Sequence, residues 1–251
     1  MSLLIEWRNG YYDLGNPKLC LIALPGVGNI GKAAIDALNQ INDAIEIARL
    51  HHTALPPLAT LDEEGLLSPP HLKISMITLE TGEKIITLTG TSQPLEPNNQ
   101  GLMAREILKL LSESGVQNSI VLAGMVDEAS RKEIFIVPSN STYRIDLESK
   151  GANVRRDEPS SGAIGMAALL ASLGGVYGIN TACAIATTVG SSGDIVASQK
   201  LLHSIDKWFD LNLVIPEDAN EKLIKKLDEI SPKTNQNLVS ELTQSHDGFY
   251  M

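Results

Sequence analysis

Aromatic side chains are scarce in this sequence: 3 Phe, 2 Trp and 5 Tyr make up 4% of 251 residues. A core with so few rings must rest on Ile, Leu, Val and Ala, which the 43% hydrophobic content can supply. Cysteine is equally rare. Cys20 and Cys183 each sit within an apolar run, with no Cys-x-x-Cys spacing. That excludes a disulfide framework and predicts two small reduced core residues in an intracellular, cytoplasmic protein. Bases are outnumbered, 20 Lys and Arg against 30 Asp and Glu, for a formal charge of -10. Such a surface repels phosphates and anionic lipid, so neither nucleic acid nor membrane is expected as a partner. The start, MSLLIEWRNG, lacks the basic and long apolar segments of a secretory signal.

Charge is missing altogether from residues 163–190, AIGMAALLASLGGVYGINTACAIATTVG. Length alone permits a transmembrane helix. Gly174-Gly175 and Gly178-Ile179-Asn180 interrupt it, however, and predict a buried helix, a turn and a buried strand.

Elsewhere apolar strands alternate with helical patterns. KLCLIAL (18–24), AIEIARL (44–50), NSIVLAGM (118–125), EIFIVP (133–138) and TACAIATTV (181–189) predict strands, and 72–90 predicts a hairpin turning at Thr81-Gly82-Glu83. Helices are expected over 29–41, over 101–116 with Leu102, Ile107, Leu110 and Leu111 sharing a face, over 160–175 with Ser160 or Ser161 as N-cap, over 194–211 and over 217–230. This alternation predicts an α/β fold, a largely parallel sheet covered on both faces, as one domain over residues 1–230. From Ser231-Pro232 the chain turns polar and reads as a tether of about 23 Å coil span leading to Phe249, Tyr250 and Met251.

Several motifs suggest a ligand. In LPGVGNIGK (24–32), Gly26, Gly28 and Gly31 spell G-x-G-x-x-G between a strand and a helix, and Lys32 nearly completes a phosphate loop. Yet no acid ends the next strand, and Ala33 stands where a magnesium-binding Ser or Thr belongs. Glycines that allow a tight turn and close packing account for the pattern as well. Gln93, Asp127 and Asp194 lie in loops after strands, where this fold class binds ligands. Asp194 is equally a good helix N-cap. Neighbouring His51 and His52 point to opposite faces of a strand and cannot readily share a metal, so no metal site is expected. Arg155-Arg156-Asp157-Glu158 reads as a solvated face. With no His paired to a nucleophile, no catalytic residue is assigned and no cofactor is expected.

LPGVGNIGKAAIDAL, GTSQPLEPNNQG, and the stretch from SSGAIGMAALLASLGGVYGI through TVGSSGDIVASQKLLHSI together resemble the proteasome assembly chaperone 2 family of archaea and eukaryotes, over roughly residues 18–210. One departure is Ala186 before Thr187, where members of that family often carry an acid. The resemblance implies a three-layer α/β/α body with a largely parallel or mixed sheet, similar to nucleoside phosphorylases, assembled as a homo-oligomer. It also implies an ATP-independent chaperone of the core proteasome. Archaeal members of this type often end in a hydrophobic-Tyr-any tripeptide (the HbYX motif) that enters pockets between α subunits of the ring. Phe249-Tyr250-Met251 matches that tripeptide. With 5 Tyr in 251 residues and 43% hydrophobic content, such an ending arises by chance in about one chain in 120. The second reading is a phosphorylase-like enzyme or nucleotide-binding protein using the Gly26–Gly31 loop.

Overall fold

Four adjacent parallel strands form the middle of the fold, and their sequences show why. In a computed structural model, which describes residues 3–61, 65–160, 162–190 and 193–215, β2 (Leu19–Ile22) is buried at all four positions, as a strand flanked by parallel neighbours and covered on both faces must be. Its neighbours are β7 (Lys84–Gly90) and β8 (Asn118–Val126), and β10 (Asn180–Thr188) lies beyond β8. Antiparallel strands complete the sheet. β6 (Leu72–Thr78), β3 (Ile45–His51) and β1 (Leu4–Trp7) follow β7 on one side, and β9 (Ile134–Pro138) borders β10 on the other. The eight-stranded order is β1-β3-β6-β7-β2-β8-β10-β9. The sheet is therefore mixed. β4 (Thr60–Leu61) and β5 (Leu67–Ser68) pair separately.

Helices cover both faces. On one side lie α1 (Ile30–Ile41) and α5 (Ile195–Phe209), whose Ile30, Ala34, Leu38, Leu201, Ile205 and Trp208 share a core with Ala23, Ile120 and Leu122. On the other lie α2 (Pro97–Glu113) and α4 (Gly165–Leu173), which bury Ile107, Leu108, Met166 and Leu170 against Ile22, Leu88 and Val121. This is the expected three-layer arrangement. α3 (Ser141–Ser149) packs beside β9.

Two expectations need correction, and one helix is additional. α2 starts at Pro97, whose missing N–H suits a first helical turn, and it turns Met103, Ile107, Leu108 and Leu111 inward while Leu102 stays 52% exposed. α4 starts only at Gly165, and its N-cap is the 93%-exposed Ile164 rather than Ser160 or Ser161. α3 was not anticipated; its signal is Asn140, whose side chain accepts a hydrogen bond from Tyr143 N at 2.7 Å as an N-cap. The expected helix over 217–230, the tether and Phe249-Tyr250-Met251 lie outside the described residues. Among those residues, no helix is long and apolar enough to cross a membrane.

Candidate functional site

Parallel strands deliver their following loops to one edge of a sheet, so β2, β7, β8 and β10 bring the loops at Gly26–Gly31, Gln93, Asp127 and Asp194 together. Gln93 Nε2 donates to Pro25 O at 2.7 Å. Gly193 N donates to Gly28 O at 3.2 Å, and Asp127 N to Thr188 O at 2.8 Å. The four sequence-selected loops thus form one cluster.

Their polar side chains, however, are engaged by the protein itself. Asp194 caps α5, accepting from Ala197 N at 3.0 Å through Oδ1 and from Thr188 Oγ1 at 3.0 Å through Oδ2. Asp127 accepts from Glu128 N and from Arg131 Nη1, each at 2.8 Å. Lys32, at the phosphate-loop position, pairs with Asp36 one turn along α1. Close packing accounts for Gly31 of the motif and for Gly124 opposite it. A Cβ on Gly31 would stand 2.3 Å from Leu122 O, and one on Gly124 would stand 2.3 Å from Val27 O. Only Gly28 among the motif glycines needs its special freedom, at φ +61. His51 and His52 diverge as expected: His51 faces Glu6 at 3.0 Å, and His52 faces Glu106 at 3.4 Å. Among the described residues, no group of three His, Cys, Asp or Glu is placed to hold a metal.

The other side of the same strand ends is open. A groove of about 490 Å³ runs between the ends of β8 and β10 and the start of α4, floored by Gly124, Met125, Ala167, Cys183 and Ile185. Val27 and Asp127 reach it, whereas Gly28, Gly31, Gln93 and Asp194 are not part of its lining. Its polar end is a set of ion pairs that sequence reading did not find. Arg131 bonds Asp127 Oδ2 at 2.8 Å, Glu133 Oε2 at 2.6 Å and Glu158 Oε2 at 2.5 Å, while Arg155 reaches Glu133 at 2.5 Å. The guanidinium of Arg131 holds the Glu133 carboxyl below the ordinary carboxylate range, and hydrogen bonding to Glu158 raises Arg131 further. The run Arg155–Glu158 is thus no simple solvated face. The pairing partners lie up to 27 positions apart, and only the topology joins them. Thr187 Oγ1 accepts from Glu133 N and donates to Arg131 O, both at 2.8 Å, and so braces this corner, while Ala186 is buried in the core on the α1 and α5 side.

The sequence matches the PAC2 family over residues 20–234, and the chain belongs to that family. No curated protein matches it. Among solved structures, the chain is similar to Pyrococcus furiosus PbaA, an archaeal homolog of proteasome-assembly chaperone, at 22% identity over 92% of this chain and 93% of that one, with a TM-score of 0.71. It is similar to P. furiosus PbaB, an archaeal proteasome activator, at 21% identity over 95% and 98%, with a TM-score of 0.71. A Thermoplasma acidophilum protein of unknown function shares 19% identity over 96% and 93%, with a TM-score of 0.74. At these identities the structural likeness concerns the fold.

Proposed function

We propose that this PAC2 family member is an ATP-independent, cytoplasmic proteasome assembly chaperone or proteasome-binding factor. It acts as a homo-oligomer and docks Phe249-Tyr250-Met251 into pockets between core-particle α subunits. The observation that carries the reading is the family match over residues 20–234, supported by a fold shared with a protein described as a proteasome-assembly chaperone homolog and another described as a proteasome activator. The tripeptide suits capture of a chain end: Phe249 and Tyr250 fill apolar pockets, the Tyr250 hydroxyl finds a hydrogen bond, and the carboxylate of Met251 pairs with a cation or backbone donors. One such tail binds weakly; several on one oligomer bind more tightly through effective concentration, by about 100-fold or more.

Co-sedimentation with purified α rings tests the reading. Removal of residues 249–251 is expected to abolish co-sedimentation while the oligomer elutes unchanged on size exclusion. Full binding by the truncated chain refutes tail docking. The reading assigns no catalysis, and a panel of nucleosides and nucleotides is expected to leave Tm unmoved. A ligand-specific rise in Tm would instead support the phosphorylase-like reading, because a ligand that binds only the folded state must stabilise it.

A further inference from the structure

On the α2 and α4 face of the sheet, α4 packs over β8 and β10. Among the described residues, the edge strand β9 takes its main helix contacts from α3 and α5, on the other face. A strap, residues Arg155–Ser160, borders the α4 face there: its residues 156–160 line one space together with Val137, Cys183 and Ile185. Apolar volume remains on both sides of the strap: about 400 Å³ toward Val137 and Pro138, and about 490 Å³ toward Gly124 and Val27. Pro159 and Ser160 line both spaces.

What holds the strap down is almost wholly ionic. Arg155 N bonds Ile136 O at 3.1 Å, and beyond that point the backbone bond among the described strap residues is local, Gly162 N to Pro159 O at 2.9 Å. The side chains do the rest. Glu158 takes a two-pronged bond from Arg131, Nη1 to Oε1 at 3.0 Å and Nη2 to Oε2 at 2.5 Å. Arg155 reaches Glu133, and Arg156 reaches Glu148 on α3 at 2.6 Å. Arg131 itself is fixed to the body by Asp127 and Glu133 and by its carbonyl, which accepts from Thr187 Oγ1. A fixed guanidinium thus grips a strap that has little other hold.

We infer that residues Arg155–Ser160 are an electrostatic latch over an apolar floor: the Glu158–Arg131 pair holds the strap closed, and its screening or neutralisation opens the strap and bares Val137, Cys183 and Ile185. Paired carboxylates and guanidinia at a rim respond to salt and to charge change, whereas an apolar lid does not. The latch is independent of the proteasome reading.

Cys183 is a built-in reporter. It is 7% exposed, and burial pushes its thiol up to about 12, so it reacts slowly while covered. Cys20, fully buried in β2, reports global unfolding. The full-length protein is treated with N-ethylmaleimide, and each cysteine is quantified by peptide mass spectrometry. Glu158→Gln is expected to label Cys183 about fivefold faster or more at low salt, with Cys20 unlabelled. In the unmodified chain, raising salt to about 1 M is expected to speed Cys183 labelling severalfold, and Glu158→Gln is expected to be insensitive to salt. Equal Cys183 rates in the two proteins, or an unmodified chain whose rate ignores salt, overturns the latch. Should Glu158→Gln expose Cys20 as well, the salt series on the unmodified chain alone decides the matter.

Discussion

The two sides of β8 meet their neighbours very differently. Toward α1, the backbone of Gly31 lies so close to Leu122 that a methyl group finds a carbonyl oxygen at 2.3 Å. Toward α4, the end of the same strand opens onto a groove of about 490 Å³. The glycine-rich segment that most resembles a phosphate cradle is thus on the closed side, and the available space is on the other. A glycine motif reports that backbones approach closely there. What approaches, a ligand or the next element of the fold, depends on whether any volume remains.

That contrast can be broken most severely at Gly31. Gly31→Ala forces a Cβ into Leu122 O with no flexible neighbour to give way, and a loss of about 3 kcal/mol or more is expected in denaturant unfolding. A neutral result would mean that α1 sits further from β8 than the structure shows. Gly28→Ala adds left-handed strain at φ +61 and a 3.2 Å approach to Thr188 Cγ2, and is expected to cost about 1–2 kcal/mol. Asp194→Ala removes the α5 cap, with an expected loss of about 1 kcal/mol, whereas Asp194→Asn retains most of the stability. The smallest effect sharpens the contrast by its absence. Lys32→Met breaks the part-buried pair with Asp36, and no nucleotide is expected to shift Tm in either protein. A nucleotide shift that depends on Lys32 would restore the phosphate-loop reading.

Much of this architecture was legible in the residues. β2, β8 and β10 are continuous apolar runs because both of their faces are buried, and α1 shows its inward stripe at helical spacing. The short edge strand β1 and the weakly amphipathic α3 were not legible, since neither presents a long apolar period. The start of α4 was misplaced because Ser160-Ser161 looks like a cap in the sequence, while the helix begins only at Gly165. The candidate loops lie at one edge because parallel strands carry them there. The sequence left the roles of their side chains open, with Asp194 read both as a ligand group and as an N-cap, because an Asp in a loop looks the same in either role. The Arg131 network was invisible for a related reason: Asp127, Arg131 and Glu133 are close in sequence, but Glu158 joins them only through the fold.

The most direct test of the proposed function is the affinity of the full-length protein for purified proteasome α rings, compared with that of Tyr250→Ala. Docking through the terminal tripeptide requires that the single substitution remove measurable binding while the oligomer and Tm stay as they were. Binding that survives Tyr250→Ala undiminished would contradict tail docking and move the interface to the folded body. Failure of both proteins to bind would contradict the proteasome reading itself.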